Sequence, residues 1–150
     1  MSQPTFITKP SYDQLHSAMI TMVSELLTHQ IGAVVAPVRG GLMFGVVASH
    51  KLNVPLIPVS YSSKLGAGDD KNHANELPSL PSDVRAILLV DDIIDSGHTL
   101  AEITKHYRSQ GIRVITAVIH YKAGATFRPD VYFWLIPADS EFIQYPYEAA

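Results

Sequence analysis

The chain has 150 residues, of which 47% are apolar, so its length and composition suit a single compact domain with one filled core. Its formal net charge of -3 argues against a nucleic-acid-binding protein, because such proteins need a basic face to replace the counterions of the phosphates. The absence of cysteine excludes disulfides and thiolate sites, and the lack of a signal peptide or a run of roughly 18 apolar residues predicts a cytoplasmic protein without a membrane span.

The first third of the chain predicts two helices that alternate with two strands. Ser11–Gln14 forms a capping box, and apolar residues recur behind it at the i, i+3, i+4 and i+7 spacing of one helical face. A β-branched strand, a second helix and a further strand follow, the last with two prolines that indicate an edge position. These three elements are predicted over Ile31–Ala36, Leu42–Lys51 and Val54–Tyr61.

Residues 62–82 differ in character, because they are rich in Gly, Asp, Asn, Ser, Lys and Pro and poor in apolar residues. A loop of about 20 residues is longer than most connections in a compact domain. We expect it to be either a functional lid or a disordered segment.

The second half of the chain continues the alternation. An apolar strand leads into a polar turn and a helix with Gly111 as its C-cap, and two more strands follow. These elements are predicted over Ala86–Val90, Asp91–Thr99, His98–Gln110, Ile112–Ile119 and Val131–Ile136. The pattern predicts an α/β fold, a mostly parallel sheet flanked by helices on both faces. Because ligands of such sheets bind at the carboxyl ends of the strands, the loops after Ala36, Tyr61, Val90 and His120 should gather at one edge.

The segment Ile87–Leu100 carries the strongest chemical signal. A buried strand delivers the adjacent carboxylates Asp91 and Asp92, and a loop with a third acid, Asp95, opens directly into a helix. The amides of a helix N-terminus bind phosphate, and neighbouring carboxylates accept bonds from ribose hydroxyls or hold a cation. Acidic turns also cap helices without further function, but the ordered string favours a phosphate site.

This string resembles the signature that binds phosphoribosyl pyrophosphate (PRPP) in type I phosphoribosyltransferases. The resemblance implies that Asp91 and Asp92 bind the ribose hydroxyls, directly or through Mg²⁺, and that the next loop wraps the 5-phosphate. The residues of that loop are Asp95, Ser96, Gly97, His98 and Thr99. In the 6-oxopurine branch of the family, the acid at the position of Asp95 lies near the purine N7 and is the proposed general base.

Pro37–Gly41 follows the first predicted strand and looks like the pyrophosphate loop of the same family. Arg39 offers a forked donor to pyrophosphate oxygens, and Gly40 leaves its backbone amide exposed at a helix start. The family resemblance also implies a cis peptide bond, either between Val38 and Arg39 or between Arg39 and Gly40. An ordinary Arg-Gly-Gly turn is the alternative.

The pair Ser60-Tyr61 begins the predicted long loop and resembles the start of the flexible loop that closes over PRPP in 6-oxopurine enzymes. Closure would exclude water from an oxocarbenium-like transition state. Lys64, Lys71 and His73 either contact pyrophosphate or are solvated loop residues.

Two further features bear on the base. Lys122 resembles the lysine that bonds the 6-oxo group of purines in this family, although it could be a surface residue at a strand end. The tail resembles the Trp-Ile-x-x-Pro-Trp-Glu ending of small purine enzymes, so Phe142 would stack on the base and Ile143 would offer backbone groups to its edge. Here Phe142 and Tyr147 stand where the two tryptophans are usual, which weakens the substrate assignment and leaves core packing of Phe142 as an alternative.

The resemblance thus implies one phosphoribosyltransferase domain over residues 1–150, with a flexible loop at about 62–82 and a small hood formed mainly by 121–150. The expected enzyme requires Mg²⁺ and transfers ribose 5-phosphate from PRPP to a 6-oxopurine, giving a nucleoside monophosphate and pyrophosphate. Relatives are homodimers or homotetramers, and nucleic acid is not an expected partner. The alternatives are another base, adenine or a pyrimidine, and a regulator that senses PRPP or nucleotides without catalysis.

Overall fold

A five-stranded sheet organises the molecule. The computed structural model describes residues 6–61, 77–140 and 142–148. In this part of the chain the strand order is β2-β1-β3-β4-β5, and every neighbouring pair is parallel. The strands are β1 (Ala33–Pro37), β2 (Leu56–Val59), β3 (Ala86–Ile94), β4 (Arg113–Lys122) and β5 (Val131–Ile136). The predicted α/β fold with a parallel sheet is confirmed, and β2 lies at an edge as its prolines indicated.

Within the described residues, three helices cover the sheet, namely α1 (Tyr12–Ser24), α2 (Leu42–Leu52) and α3 (His98–Ser109), and a short 3-10 turn lies at Pro146–Glu148. The predicted capping box at the start of α1 is present. The Ser11 hydroxyl accepts from the backbone of Gln14, and the Gln14 side chain accepts from the backbone of Ser11. The predicted apolar face of α1 is buried.

The core forms two layers, one on each face of the sheet, because successive residues of a strand point to opposite sides. Leu88 and Val90 of β3 pack with residues of α1 and α2. Ile87 and Leu89 pack on the other face with residues of α3, including Tyr107. The sheet is therefore covered on both faces, and its strand ends remain the open edge.

Two strands extend further than the sequence predicts. β3 continues through Asp91 and Asp92 to Ile94, because these residues keep pairing with β4, Asp91 opposite Val118 and Ile94 opposite Tyr121. The expectation that Asp91 begins a turn is therefore wrong. β4 likewise continues, so Lys122 is its last residue and does not follow the strand.

The segment expected to form a hood, residues 121–150, also contributes to the main sheet. β5 pairs with β4 in parallel, from Ala117 opposite Val131 to Lys122 opposite Ile136. The tail beyond it returns over the carboxyl ends of the strands, and the backbone amide of Gln144 donates to the carbonyl of Thr8 at 2.8 Å. Residues 121–150 thus contain both a strand of the main sheet and the tail above it.

The described end of the predicted long loop is anchored to the second core layer. Leu77 and Leu80 pack against it, and the Tyr107 hydroxyl donates to the carbonyl of Pro78 at 2.8 Å. Lys64, Lys71 and His73 lie outside the described residues. None of the helices in the described part of the chain has the length and apolarity needed to span a membrane.

Candidate active site

The carboxyl ends of β1, β3 and β4 meet at one edge of the sheet, and three cavities open there. The first, of about 690 Å³, lies between the loop after β1 and the tail. The second, of about 430 Å³, lies between the ends of β3 and β4 and the tail. The third, of about 140 Å³, lies inside the loop after β3. Asp92 lines both the first and the second cavity, so it stands where the larger two spaces meet.

Asp91 and Asp92 form an acidic pair near the end of β3, with Asp92 buried and Asp91 half-buried. Asp92 is only 8% exposed, and its backbone amide donates to Oδ1 of Asp91 at 2.9 Å. Burial and the neighbouring charge of Asp92 hold the pKa of Asp91 well above its usual value, and burial raises the pKa of Asp92. The ligand-free site therefore disfavours two negative charges, and a bound cation or donor would relieve them.

The loop Asp95–Gly97 connects β3 to α3 and surrounds the third cavity together with His98 and Thr99. Gly97 has a φ of 91°, a left-handed conformation that favours glycine, and a Cβ built there would lie 2.5 Å from the Cβ of Phe127. The carbonyl of Ser96 accepts from the amide and the hydroxyl of Thr126, at 3.1 and 3.0 Å. These contacts fix the loop against the segment that follows β4, and the N-terminus of α3, a favourable place for an anion, lies beside the third cavity.

The loop after β1 lies directly beside the acidic pair. The peptide bond between Val38 and Arg39 is cis, which confirms one of the two expected positions. A Cβ built at Gly40 would lie only 2.5 Å from Oδ2 of Asp92, so glycine is required for this close approach. Arg39 and Gly40 line the first cavity together with Asp92.

The three residues assigned to the base, Lys122, Phe142 and Ile143, line the second cavity together with Asp95. Lys122 Nζ lies 3.1 Å from Oδ1 of Asp95, so the two side chains form an ion pair at its mouth. Phe142 is 79% exposed, which speaks against core packing, whereas the Ile143 side chain is buried in the first core layer. The cavity thus combines a cation, a carboxylate and an exposed aromatic ring.

Ser60 and Tyr61 follow β2 at the same edge. Ser60 is exposed and Tyr61 is partly buried against the second core layer. Burial and the negative charge of Glu102 raise the pKa of Tyr61. Among the described residues, the lining of the three cavities does not include this pair.

Two tyrosines of the tail contact Asp92, and the sequence alone did not predict these contacts. The Tyr147 hydroxyl donates to Oδ2 of Asp92 at 2.9 Å, and the Tyr145 hydroxyl lies 3.1 Å from the carbonyl oxygen of Asp92. His120 is completely buried and bonds to Tyr145. Residues more than 50 positions apart meet here, so no local spacing could have revealed the contacts.

Comparison with known proteins identifies the family. The family described as "Phosphoribosyl transferase domain" matches residues 11–149. The chain belongs to this family. The match covers the β3–α3 string, the Arg39 loop, Lys122 and the tail, so the phosphoribosyl transferase domain includes all the site elements described above.

Individual relatives agree with this membership. The chain is 30% identical over 97 residues to a xanthine-guanine phosphoribosyltransferase of Desulfotalea psychrophila, covering 64% of this chain and 60% of that protein. It is 30% identical over 89 residues to a protein of the same name from Chromohalobacter salexigens, covering 59% and 54%. The matches thus span only about half to three fifths of these relatives.

Solved structures share the fold. A Helicobacter pylori xanthine-guanine-hypoxanthine phosphoribosyltransferase has a TM-score of 0.76 and 19% identity, with coverage of 94% of this chain and 92% of that one. A purine phosphoribosyltransferase from Pyrococcus horikoshii has a TM-score of 0.74 and 22% identity, with 96% of both chains covered. The parallel sheet and its order of elements are therefore those of this family.

Proposed function

We propose that this protein is a purine phosphoribosyltransferase that transfers ribose 5-phosphate from PRPP to a 6-oxopurine and releases pyrophosphate. The observation that carries the proposal is the position of Asp92. It separates a cavity lined by Arg39 and Gly40 from a cavity lined by Lys122 and Phe142. The pyrophosphate of PRPP would occupy the first of these cavities and the base would occupy the second. The ribose that joins them in the reaction would then lie at this carboxylate. The names of the relatives, xanthine-guanine phosphoribosyltransferases, support the same substrates.

In this proposal each end of PRPP has its own group of residues. The amides at the N-terminus of α3 and the hydroxyls of Ser96 and Thr99 hold the 5-phosphate in the third cavity. Arg39 binds pyrophosphate oxygens from the first cavity. Asp91 and Asp92 accept hydrogen bonds from the ribose hydroxyls, which lie between the 5-phosphate and the pyrophosphate. Ser60 and Tyr61 begin the loop that would exclude water during the reaction.

The acidic pair also fits Mg²⁺. No cluster of three or more His, Cys, Asp or Glu side chains suited to a metal occurs in the described residues, so the protein alone offers few ligands. Mg²⁺ is commonly bound through one or two carboxylates together with water and substrate phosphates, and Asp91 and Asp92 provide such carboxylates. The ion would neutralise charge on the pyrophosphate.

The transfer forms a bond between a purine nitrogen and C1 of the ribose and breaks the bond from C1 to the pyrophosphate oxygen, which leaves with the electron pair. Asp95 accepts the proton that the base loses, and its partner Lys122, 3.1 Å away, donates to the 6-oxo group. A 6-amino group offers donors at that position, so Lys122 disfavours adenine. Phe142 stacks on the purine, and the backbone of Ile143 contacts its edge.

The decisive experiment is turnover with PRPP and Mg²⁺ against hypoxanthine, guanine, xanthine, adenine, uracil and orotate, with nucleotide and pyrophosphate as readouts. Conversion of an oxopurine would support the proposal. Activity on adenine or a pyrimidine would retain the PRPP site but contradict the roles of Lys122 and Phe142. Tight binding of PRPP without turnover of any base would favour a nucleotide-sensing regulator.

A variant tests the role of Asp95. We expect Asp95→Asn to lower kcat by about 10²- to 10⁴-fold, the usual contribution of a general base, while PRPP still binds. Asp83→Asn is the control, because Asp83 is exposed before β3 at the opposite end of the sheet. Equal loss in both variants, or no loss in Asp95→Asn, would contradict the assignment.

A homodimer or homotetramer and a cytoplasmic location belong to the same proposal.

A further inference from the structure

The tail of the chain contacts the side chain and the main chain of the same acidic residue. The Tyr147 hydroxyl donates to Oδ2 of Asp92 at 2.9 Å, and the carbonyl oxygen of Asp92 lies 3.1 Å from the Tyr145 hydroxyl. Asp92 is 8% exposed, so the hydrogen bond from Tyr147 lies in a region with little water. A hydrogen bond to a charged group is stronger than one between neutral groups, especially where water is excluded.

Tyr147 is itself held in place by Tyr145. The two rings are nearly parallel, with an interplanar angle of 3° and centroids 5.3 Å apart. Tyr145 is 1% exposed, and its hydroxyl lies 2.7 Å from Nδ1 of His120. Nε2 of His120 must donate to the carbonyl of Ile7, at 2.9 Å, because a carbonyl only accepts. The ring that reaches Asp92 therefore rests on a buried and hydrogen-bonded support.

The loop after β1 also lies close to the carboxylate. A Cβ built at Gly40 would lie 2.5 Å from Oδ2 and 3.0 Å from Oδ1 of Asp92. A carboxylate has about four acceptor positions, and the Tyr147 hydroxyl occupies one of them. Asp91 and the backbone of Ile93 also contact this carboxylate, and Asp92 lines the first and the second cavity. The contact thus restricts the orientation of the carboxylate and leaves it able to accept further bonds.

We propose that Tyr147 is a positioning residue, whose hydroxyl holds the Asp92 carboxylate in the orientation that accepts the ribose of PRPP. This inference rests on the proposed function, because it concerns the same donor site. Tyr147 acts on the donor substrate through Asp92, and the base is bound by other residues. An ordered carboxylate loses less freedom when the ligand binds, and the affinity for PRPP rises accordingly.

The test is Tyr147→Phe, which removes one hydroxyl and keeps the ring that stacks on Tyr145. We expect the KM and the Kd for PRPP to rise by about tenfold, the usual effect of losing one hydrogen bond to a charged group. The kcat and the KM for the base should stay within about twofold, since neither depends on a contact made only with the donor. A merely structural role would instead lower the melting temperature and the fraction of active enzyme.

The matched control is Tyr132→Phe. Tyr132 also stacks on a second tyrosine, Tyr121, with centroids 5.2 Å apart, but it lies on β5 and lines none of the three cavities. Its KM and Kd for PRPP should equal those of the parent. Calorimetry with PRPP and Mg²⁺ measures the Kd without requiring turnover.

The outcomes separate this inference from the proposed function. Weaker PRPP binding in Tyr147→Phe supports the inference even if the parent turns over no base, a result that would refute only the proposed function. Unchanged binding, or a loss of stability alone, would refute the inference. Tighter binding would also overturn it, because the hydroxyl would then compete with PRPP for Asp92. Failure of the parent to bind PRPP would refute both.

Discussion

At the scale of single residues, the position of Asp91 beside Asp92 destabilises the ligand-free fold but leaves a carboxylate available for a ligand. Burial and the charge of Asp92 raise its pKa, so folding of the ligand-free chain brings two acids together at an energetic cost. The Asp91 Oδ1 nevertheless accepts only one bond from the protein, the backbone amide of Asp92 at 2.9 Å, among those that the structure describes. The acid is therefore suited to a partner that comes from outside the chain.

We expect Asp91→Asn to raise the free energy of unfolding of the ligand-free protein while it weakens PRPP binding. The amide oxygen can still accept from the Asp92 backbone, and the repulsion between the two carboxylates disappears. A gain of about 1 kcal/mol would correspond to less than one pKa unit. Urea denaturation with EDTA at pH 7 measures it, with Asp83→Asn as the exposed control. A destabilised Asp91→Asn protein would show that the acidic pair supports the fold.

At the scale of elements, the approach of the β1–α2 loop to the end of β3 depends on Gly40. The loop and the strand come so close that a methyl group at Gly40 would overlap the Asp92 carboxylate. Gly32 offers a comparison, because a Cβ there would lie 3.4 Å from the nearest methyl groups, both of Val84. Gly40 is thus needed for the geometry of the site, whereas a methyl group at Gly32 would make ordinary van der Waals contacts.

Gly40→Ala should raise the KM for PRPP on the order of tenfold to a hundredfold, because it displaces the carboxylate and the adjoining loop. Gly32→Ala should leave the KM unchanged. Steady-state kinetics with PRPP as the varied substrate, together with a melting curve for each variant, distinguishes a displaced site from a damaged fold. An unchanged KM in Gly40→Ala would indicate that the loop moves freely away from Asp92.

The order of the elements could be predicted because it depends on local patterns. The capping box of α1, its apolar face and the strand Val131–Ile136 each follow from periodicity over a few residues, and the structure confirms them. The motif string also predicted which loops belong to the family's site. The convergence of Arg39, Asp92 and Lys122 at one edge follows from parallel strands.

The ends of β3 and β4 could not be predicted in the same way. Asp91 and Asp92 interrupt an apolar run and therefore resemble a turn, but cross-strand pairing continues through them. The position of Tyr147 was equally inaccessible. Its hydroxyl meets a residue 55 positions away, and only the return of the tail over the sheet brings the two together. Such contacts depend on the whole fold and produce no periodic pattern in the sequence.

At the scale of the whole molecule, a buried histidine connects the two ends of the chain to the site. His120 of β4 bonds to the carbonyl of Ile7 near the N-terminus and to Tyr145 of the tail, and it stacks on Trp134 of β5. These neighbours are uncharged groups, and the nearest acid of the network, Asp92, is reached only through Tyr145. Burial accordingly lowers the pKa of His120, although the bond to Ile7 acts in the opposite direction.

This position of His120 predicts a pH-dependent stability. Because its folded pKa lies below the unfolded value of about 6.5, the unfolded chain binds more protons in the interval between them. The contribution of His120 to the free energy of unfolding is therefore fully present above about pH 6.5 and is lost as the pH falls toward the lowered folded pKa. Urea denaturation at pH 7.5 and at pH 5.5 should show this loss in the parent.

His120→Gln supplies an amide that can bond to Tyr145 and Ile7 but does not titrate. Its stability at pH 7.5 should be lower than that of the parent, and the difference should narrow at pH 5.5, where the unfolded parent binds a proton at His120 that the folded parent does not. His16→Gln, exposed on α1, should follow the pH dependence of the parent. A difference between His120→Gln and the parent that widens on acidification would mean that the protonated ring is the better partner for the network. Protonation of His120 would then hold the tail with Tyr145 and Tyr147 more firmly over Asp92 at low pH. This is the opposite of the loss of stability expected here.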